Sequence, residues 1–455
     1  MPLRLFKKLP PSSVFTLAFL WQVGGIQAMG LLDAYEAALR NDPTFRAATH
    51  ENEAGQQAIA LGRAGLLPTL SVTHLQGMSR GTQKIDELDQ FNRTITNKSD
   101  LDFNSQVTTL TLRQPLLNME AAAGYDQGFA RANSSQAKFL GQSYELVVRL
   151  VEAYVRTLLA QDRLFLANAQ HKALEELKQV NEHMLKRGEG TQTDVLETLS
   201  RHALSQAQVI EAQDELDVAR LALEKIVGQQ VMQLDSLSGS FKAQPIHPPD
   251  FESWREMALE RNAELVTQRH IVTSSQLEVK KSRAGHTPRV DLVASLNKQN
   301  SASFIVPNRD ATFASVGVEV SLPLYAGGRV VATTNQAQAN HARAQADLDA
   351  MSDRVLVELR RQYQLLQSSI KRIESLELAV DSALLLVQAT EKSIQGGIRI
   401  NLDLLNAQSQ LFSAQVDLAE ARYSYLLAYL RLRLAAGTLA LEDLEKVASY
   451  FVAAN

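Results

Sequence analysis

The chain has no cysteine among its 455 residues, which excludes disulfide staples and thiolate metal sites. Proline and glycine are scarce and cluster between long unbroken segments, so most of the length is free to be helical. Aromatic residues are sparse, and a net charge of -4 supplies no electrostatic reason for a nucleic-acid partner. An apolar run of the roughly 18 residues needed for a spanning helix is also missing. The nearest approach is N-terminal, where Arg4, Lys7 and Lys8 precede an apolar stretch from Val14 to Trp21, followed by small residues up to Ala28. This order is that of a signal peptide over residues 1–28, with a short membrane anchor as the alternative reading. An exported chain without a later spanning helix is periplasmic, extracellular, or inserted as a closed β-barrel.

What the sequence does contain is a duplication. Residues 33–66 read as helix, pause at Asn41-Asp42-Pro43, and end at Gly65 and Pro68; residues 252–286 repeat this pattern at an offset of 220, matching Ala38 with Ala258, Gly65 with Gly285 and Pro68 with Pro288. Strand-like alternation follows in each half, with strands expected at about 66–78 and 103–115, then 287–299 and 312–324. Polar linkers at about 78–101 and 297–311 separate the members of each pair. Both second strands run into Pro-Leu, at Pro115 and Pro323, and a long helical arm comes next. The arms close at Gly188 and Gly397, and return helices end at Gly228 and Gly437, at an offset of 209. The expected organisation is a signal peptide, a first repeat over 29–228, a linker over 229–251 crossing the outside, a second repeat over 252–437 and a tail over 438–455. In the tail, Leu441, Leu444 and Val447 fall on one helical face.

Each arm approaches 100 Å at 1.5 Å per residue, too long for a helix without an equally long partner. Apolar residues recur at three, four or seven in the second arm (Val355, Leu359, Leu366, Ile373, Val380, Leu384, Val387) and in the first (Leu146, Leu150, Tyr154, Leu158). This is a coiled-coil seam. Small and uncharged residues cover much of the remaining circumference, as in a wall whose helices touch neighbours on both sides; a solid bundle shares the periodicity. Four strands cannot close around a lumen, whereas three copies of four give twelve. Two soluble hairpins capping a helical body are the alternative.

These features together resemble the TolC family of outer-membrane channel proteins. The parts that carry the resemblance are Asn41-Asp42-Pro43, Gly65-Leu-Leu-Pro-Thr-Leu70 and its echo, Leu322-Pro-Leu-Tyr-Ala-Gly-Gly-Arg329, the run from Gly397 to Ala407, and Glu420-Ala-Arg-Tyr-Ser-Tyr425. The resemblance implies a mainly α chain with a small β part: a homotrimer whose helical barrel continues into a shared twelve-stranded barrel among outer-membrane lipid. It implies a passive export duct working with a periplasmic adaptor (membrane fusion) protein and an inner-membrane ABC transporter or proton-driven pump. It implies no catalysis, cofactor, metal or nucleic acid. Type I protein secretion is the favoured use and multidrug efflux the alternative; a periplasmic coiled-coil scaffold without a pore is the reading from another class.

In the family the periplasmic tip is the gate. Asp403 falls on a ring aspartate, and Asp194 matches it through the repeat. Three such carboxylates around an axis repel one another and attract cations. Asp194 with Glu197 also has the spacing of a helix cap. Arg399 falls on a basic residue that braces the closed tip, with Asp194 of the neighbouring hairpin as its expected partner. Asn406 stands where the family usually has a second acid, and Ile394 where it usually has a bracing tyrosine. Gly188 and Gly397 mark the tip turns and the adaptor contact, or simply end helices. His171, His183, His202 and His341 share no metal spacing and read as scattered polar residues.

Overall fold

The structure is a computed structural model that describes residues 28–301, 309–395 and 400–452. The expected signal peptide lies almost wholly outside the described residues. Helices α1 (Leu31–Asn41) and α2 (Pro43–Ala64) lead into strands β1 (Thr69–Leu88) and β2 (Thr94–Leu117). The 69-residue helix α3 (Met119–Arg187) then runs to the tip, and α4 (Gln192–Val227) returns. A two-residue strand, β3 (Ser236–Leu237), opens the second half, followed by α5 (Phe251–Arg261), α6 (Ala263–Arg283), β4 (Arg289–Ser301), β5 (Arg309–Ser321), α7 (Arg329–Gln395) and α8 (Asn401–Ala435). The tail forms α9 (Leu441–Ala448) and β6 (Phe451–Val452).

The pause after Asn41 is a helix junction with a chemical cause. Asp42 accepts a hydrogen bond from the Phe45 amide at 2.7 Å, and Pro43 occupies the first turn, where a missing N–H costs nothing. Asn262 does the same at the start of α6, accepting from the amides of Glu264 and Leu265. The early glycines of α3 also have a reason. A Cβ on Gly128 would lie 2.5 Å from the Ala58 carbonyl oxygen, and one on Gly62 would lie 2.9 Å from that of Gly124, so α2 and α3 approach backbone to backbone.

The same lateral order recurs at every level. The sheet runs β1-β2-β4-β5, antiparallel throughout. Below it α2 packs on α3, α3 on α6, and α6 on α7. Towards the tip the order is α4, α3, α8, α7. One flank of the chain is therefore β1, α2 and α4, and the other is β5 and α7. Exposed apolar side chains lie along both, among them Ile210, Val218 and Leu221 on α4 and Val357, Leu378 and Leu385 on α7.

The main core sits between these levels. Leu146, Leu150, Tyr154, Leu223, Leu265, Leu359, Leu366, Leu426 and Leu430 are essentially fully buried there, each stabilising by roughly 2 kcal/mol. Tyr154 donates to the Met29 carbonyl at 3.0 Å, and burial pushes its phenol pKa up.

Four expectations need correction. The polar stretch 78–101 is mostly paired strand: β1 and β2 extend to Leu88 and Thr94, because polar side chains on both faces of a solvated ribbon erase the alternation that marks a half-buried strand. The connector 229–251 does not lie on the outside. Val231, Leu234 and Phe241 are buried in the core, and β3 pairs with β6 of the tail. In the tail Leu444 and Val447 are buried but Leu441 is exposed, since it begins α9 and turns away. In the lower α7 seam Ala383 and Val387 are buried while Leu384 is exposed, because the stripe drifts around a straight helix.

Candidate functional site: pore wall and periplasmic tip

Register sorts the side chains of the sheet into two faces. On one, Val72, Leu110, Leu296 and Ala314 lie in a row, followed by Leu70, Leu112, Ala294 and Val316. Val318 and Val320 continue it, and all three valines of β5 are exposed in the single chain. The opposite face carries the row Ser71, Thr111, Ser295, Ser315 and the row Thr73, Thr109, Asn297, Phe313. Ser295 and Ser315 hydrogen-bond at 2.8 Å, and Asn297 donates to Thr109 at 3.0 Å. An apolar face backed by hydroxyls and amides is what a strand between lipid and water requires. Charge enters the inner face at its periplasmic end. There Arg113 bridges the buried Asp291 at 2.7 Å and Glu319 at 2.9 Å, tying the first half's β2 to both strands of the second, and Arg289 holds Asp291 from its own strand at 2.9 Å.

At the other end of α3, Gly188 has φ 75°, the left-handed conformation that ends a helix, and its amide returns to the Leu185 carbonyl. The next helix begins with a capping box. Thr191 accepts from the Asp194 amide at 3.1 Å, and the Asp194 carboxylate accepts from the Thr191 amide at 3.2 Å and its hydroxyl at 2.6 Å. The cap is thus Thr191 with Asp194, not Asp194 with Glu197: α4 starts three residues earlier than that spacing assumed.

Behind the cap is a cluster that the sequence reading missed. Thr198 is fully buried and donates to the Asp194 carbonyl at 2.8 Å. Its hydroxyl accepts from Asn181 of α3 at 2.8 Å and from Asn401 of α8 at 3.2 Å. One hydroxyl therefore joins three helices from both halves. One turn on, Arg201 donates to Asn406 at 3.2 Å. Asp403 is half-buried in the first turn of α8, whose N-cap, Ile400, offers no side-chain bond. The helix dipole favours a carboxylate in that first turn. Ile394 packs with Leu177 and Leu411 around Val387, Leu404 and Ala407. Among the described residues the structure brings together Asn406 and Arg201; Arg399 and Gly397, and with them the expected pairing of Arg399 with Asp194, lie outside the described residues.

Two of the histidines also meet. His171 and His202 stack with ring centroids 4.5 Å apart; His202 contacts Glu175 at 2.7 Å and His171 contacts Ser205 at 2.9 Å. The signal was available: in an antiparallel hairpin, residues equidistant from the turn at Gly188 face one another, which pairs His171 with Ser205 and sets His202 one turn away. No group of three or more His, Asp or Glu able to hold a metal occurs among the described residues, and no helix there is long and apolar enough to cross a membrane.

An open sheet with one lipid-type face, continued by paired helices with the same lateral order, is a segment of a pore wall. The comparisons agree. The model of the family described as "Outer membrane efflux protein" matches residues 34–229 and 254–438. The chain is 44% identical over 427 residues to the alkaline protease secretion protein AprF of Pseudomonas aeruginosa, covering 93% of this chain and 88% of that one. It is 41% identical to the proteases secretion protein PrtF of Dickeya chrysanthemi, covering 95% and 93%. The crystal structure of the Campylobacter jejuni CmeC outer membrane channel superposes with a TM-score of 0.77 over 99% of this chain and 98% of that one, at 13% identity, a likeness of fold. The chain belongs to the outer membrane efflux protein family, that of TolC. It is an outer-membrane channel with a large periplasmic part, not an enzyme.

Proposed function

We propose that three copies form one duct for type I protein secretion, joined through a periplasmic adaptor to an energy-supplying inner-membrane transporter. The observation that carries this reading is the pair of open flanks. The four-stranded order leaves the outer edges of β1 and β5 open, and an exposed sheet edge within a bilayer is not viable. Joining β1, α2 and α4 of one copy to β5 and α7 of the next would satisfy every level with one rotation. The protease-secretion names of AprF and PrtF favour protein cargo over drugs.

At the tip, Asp403 is the gate carboxylate of this reading, repeated three times around the axis. Asp194 serves the start of α4. The closed state is held by polar bonds from α8 to the first hairpin, through Thr198 with Asn401 and Arg201 with Asn406, and Ile394 replaces a brace by packing. The turn at Gly188, and with it the segment around Gly397, is where this reading places the adaptor.

Complementation tests the function. In a cell lacking its own channel but holding a protease transporter and adaptor, the chain should restore secretion of the protease. Restored antibiotic resistance without secretion would transfer the assignment to efflux. For the tip, Thr198→Val leaves the Asn181 and Asn401 amides without their acceptor, a loss of about 1–3 kcal/mol. Planar-bilayer conductance should rise in that variant; an unchanged conductance would remove the clasp from the gate.

A further inference from the structure

The two strand ribbons differ in reach and in polarity. The described pairing of β2 with β4 ends at Ser105 and Ser301, yet β1 and β2 stay paired for eleven further steps, to Leu88 and Thr94, whereas only seven residues join Ser301 to Arg309. That is about 37 Å of ribbon past the last described β2–β4 pair. Its turn is closed by Asp89, which accepts from the amides of Phe91 and Arg93 at 2.8 and 2.9 Å and from the Arg93 side chain. Along this extension charge gathers on one side of the ribbon. The side that continues the lipid face carries Arg80, Lys84, Asp86, Lys98, Asp100 and Asp102, with Arg80 and Asp102 paired at 2.7 Å. The side that continues the lumen face has Glu87 as its one charge, and sets Gly77, Gly81, Ile85 and Ile95 among the neutral polar Ser79, Gln83, Asn97 and Ser99.

Each part of this arrangement points inward. Six charges on the outer side suit water rather than lipid. Ile85 and Ile95 are diagonal neighbours, 41% and 47% exposed in the single chain, and form the apolar pair of the side with a single charge, while Met78 and Leu88 stand singly among the charges of the other side. A Cβ at Gly81 would meet nothing within 4 Å, so packing does not demand glycine there; two glycines on one side of a ribbon let it bend towards that side. Finally, the ribbon grows from β1, an open edge of the sheet, and so stands where one subunit meets the next.

We propose that the β1–β2 ribbons of three copies lean over the outer mouth of the barrel and pack their Ile85 and Ile95 sides on one another, as a cap that cargo parts on exit. The occupant of each apolar side is the same ribbon of a second copy. This rests on the trimeric barrel proposed above.

The absence of native cysteine makes single-cysteine reporters clean. Under mild oxidation of whole cells, Ile85→Cys should give a covalent dimer on a non-reducing gel. Lys84→Cys, on the opposite side, should give about fivefold less, since a disulfide needs close Cβ atoms. The second readout is access to the lumen from outside. Thr111→Cys should react with a bulky polyethylene glycol maleimide about tenfold faster once residues 79–103 are replaced by an Asn-Gly turn, exposure being what limits such a thiol. The double variant Ile85→Asp, Ile95→Asp repels the inner sides at full length and should speed labelling as well, which guards against a shortened ribbon that fails to assemble. Equal labelling in all three, or equal cross-linking from Ile85→Cys and Lys84→Cys, overturns the cap. A monomer on native gels, or Val316→Cys labelling as fast as Thr111→Cys when both carry the shortened ribbon, overturns the barrel reading and the cap with it. The tip lies at the far end of the chain, so its state does not enter either measurement.

Discussion

The two halves build the same helix junction with different side chains. In the first, two neighbours divide the work: Asp42 caps α2, while Asn41 donates to the Val227 carbonyl at 2.8 Å at the end of α4. In the second, Asn262 does both, accepting from the α6 amides and donating to the Ala435 carbonyl at 2.9 Å near the end of α8. Asp42 gains in exchange an ion pair with Arg149 of α3 at 2.7 Å. What the repeat preserves is therefore the set of orphan backbone groups to be satisfied, not the residue that satisfies them. The glycines that end the return helices follow the same logic. Gly228 and Gly437 both have positive φ, but a Cβ at 228 would meet the Asn41 side chain, whereas one at 437 would meet the Arg261 backbone at 2.4 Å.

Substitutions can break this comparison in order of size. Gly437→Ala should be the most damaging, at roughly 3 kcal/mol or more, because backbone cannot step aside. Assembled channel in the membrane should be nearly lost, and Gly228→Ala should retain more of it; the reverse order would contradict the contacts. Asn262→Ala removes two functions at once, about 2 to 3 kcal/mol, against about 1 kcal/mol for Asn41→Ala. Thermal melting of the two purified variants measures the gap.

A third test concerns a contact between the halves. Tyr423 of α8 donates to the Asp162 carboxylate of α3 at 2.8 Å, and burial raises the pKa of both groups. A raised carboxylate pKa means that the fold disfavours the ion. The wild type should therefore gain stability as pH falls from neutrality through that raised value, and the gain should stop at the ordinary carboxylate pKa. Asp162→Asn, which has no proton to bind, should melt at a temperature much less dependent on this pH change. The smallest effect belongs to Asn406→Asp. It turns the Arg201 contact into an exposed ion pair worth about 0 to 1 kcal/mol, so stability should hardly move. Block of single-channel current by divalent cations should nonetheless strengthen, through three added charges around the axis of the proposed trimer.

Much of this architecture was legible because it rests on punctuation. Pro43, Gly65, Gly188, Gly228 and Gly437 mark real ends, and constant offsets between the halves need no knowledge of packing. The open sheet followed from the number of strands. What escaped depends on partners distant in sequence or on water. The outer ribbon has no apolar alternation because neither face is fully dry. Val231, Leu234 and Phe241 gave no sign that the connector turns inward. At the tip, Thr198 is an ordinary threonine in a helix until Asn181 and Asn401 are placed beside it, and Asp194 could be a cap or a gate until the start of α4 is known.

The unlike flanks have a genetic consequence. A surface that fits only a different surface cannot be satisfied in a two-fold pair, so an incomplete ring always keeps one raw edge of each kind, and closure alone ends the series. In the proposed ring of three, a single faulty copy spoils the whole. Equal co-expression of a sound and a ring-spoiling allele would leave only about one ring in eight free of the fault, by random drawing into a closed cyclic assembly. Dominant loss of export is thus built into the shape of one subunit.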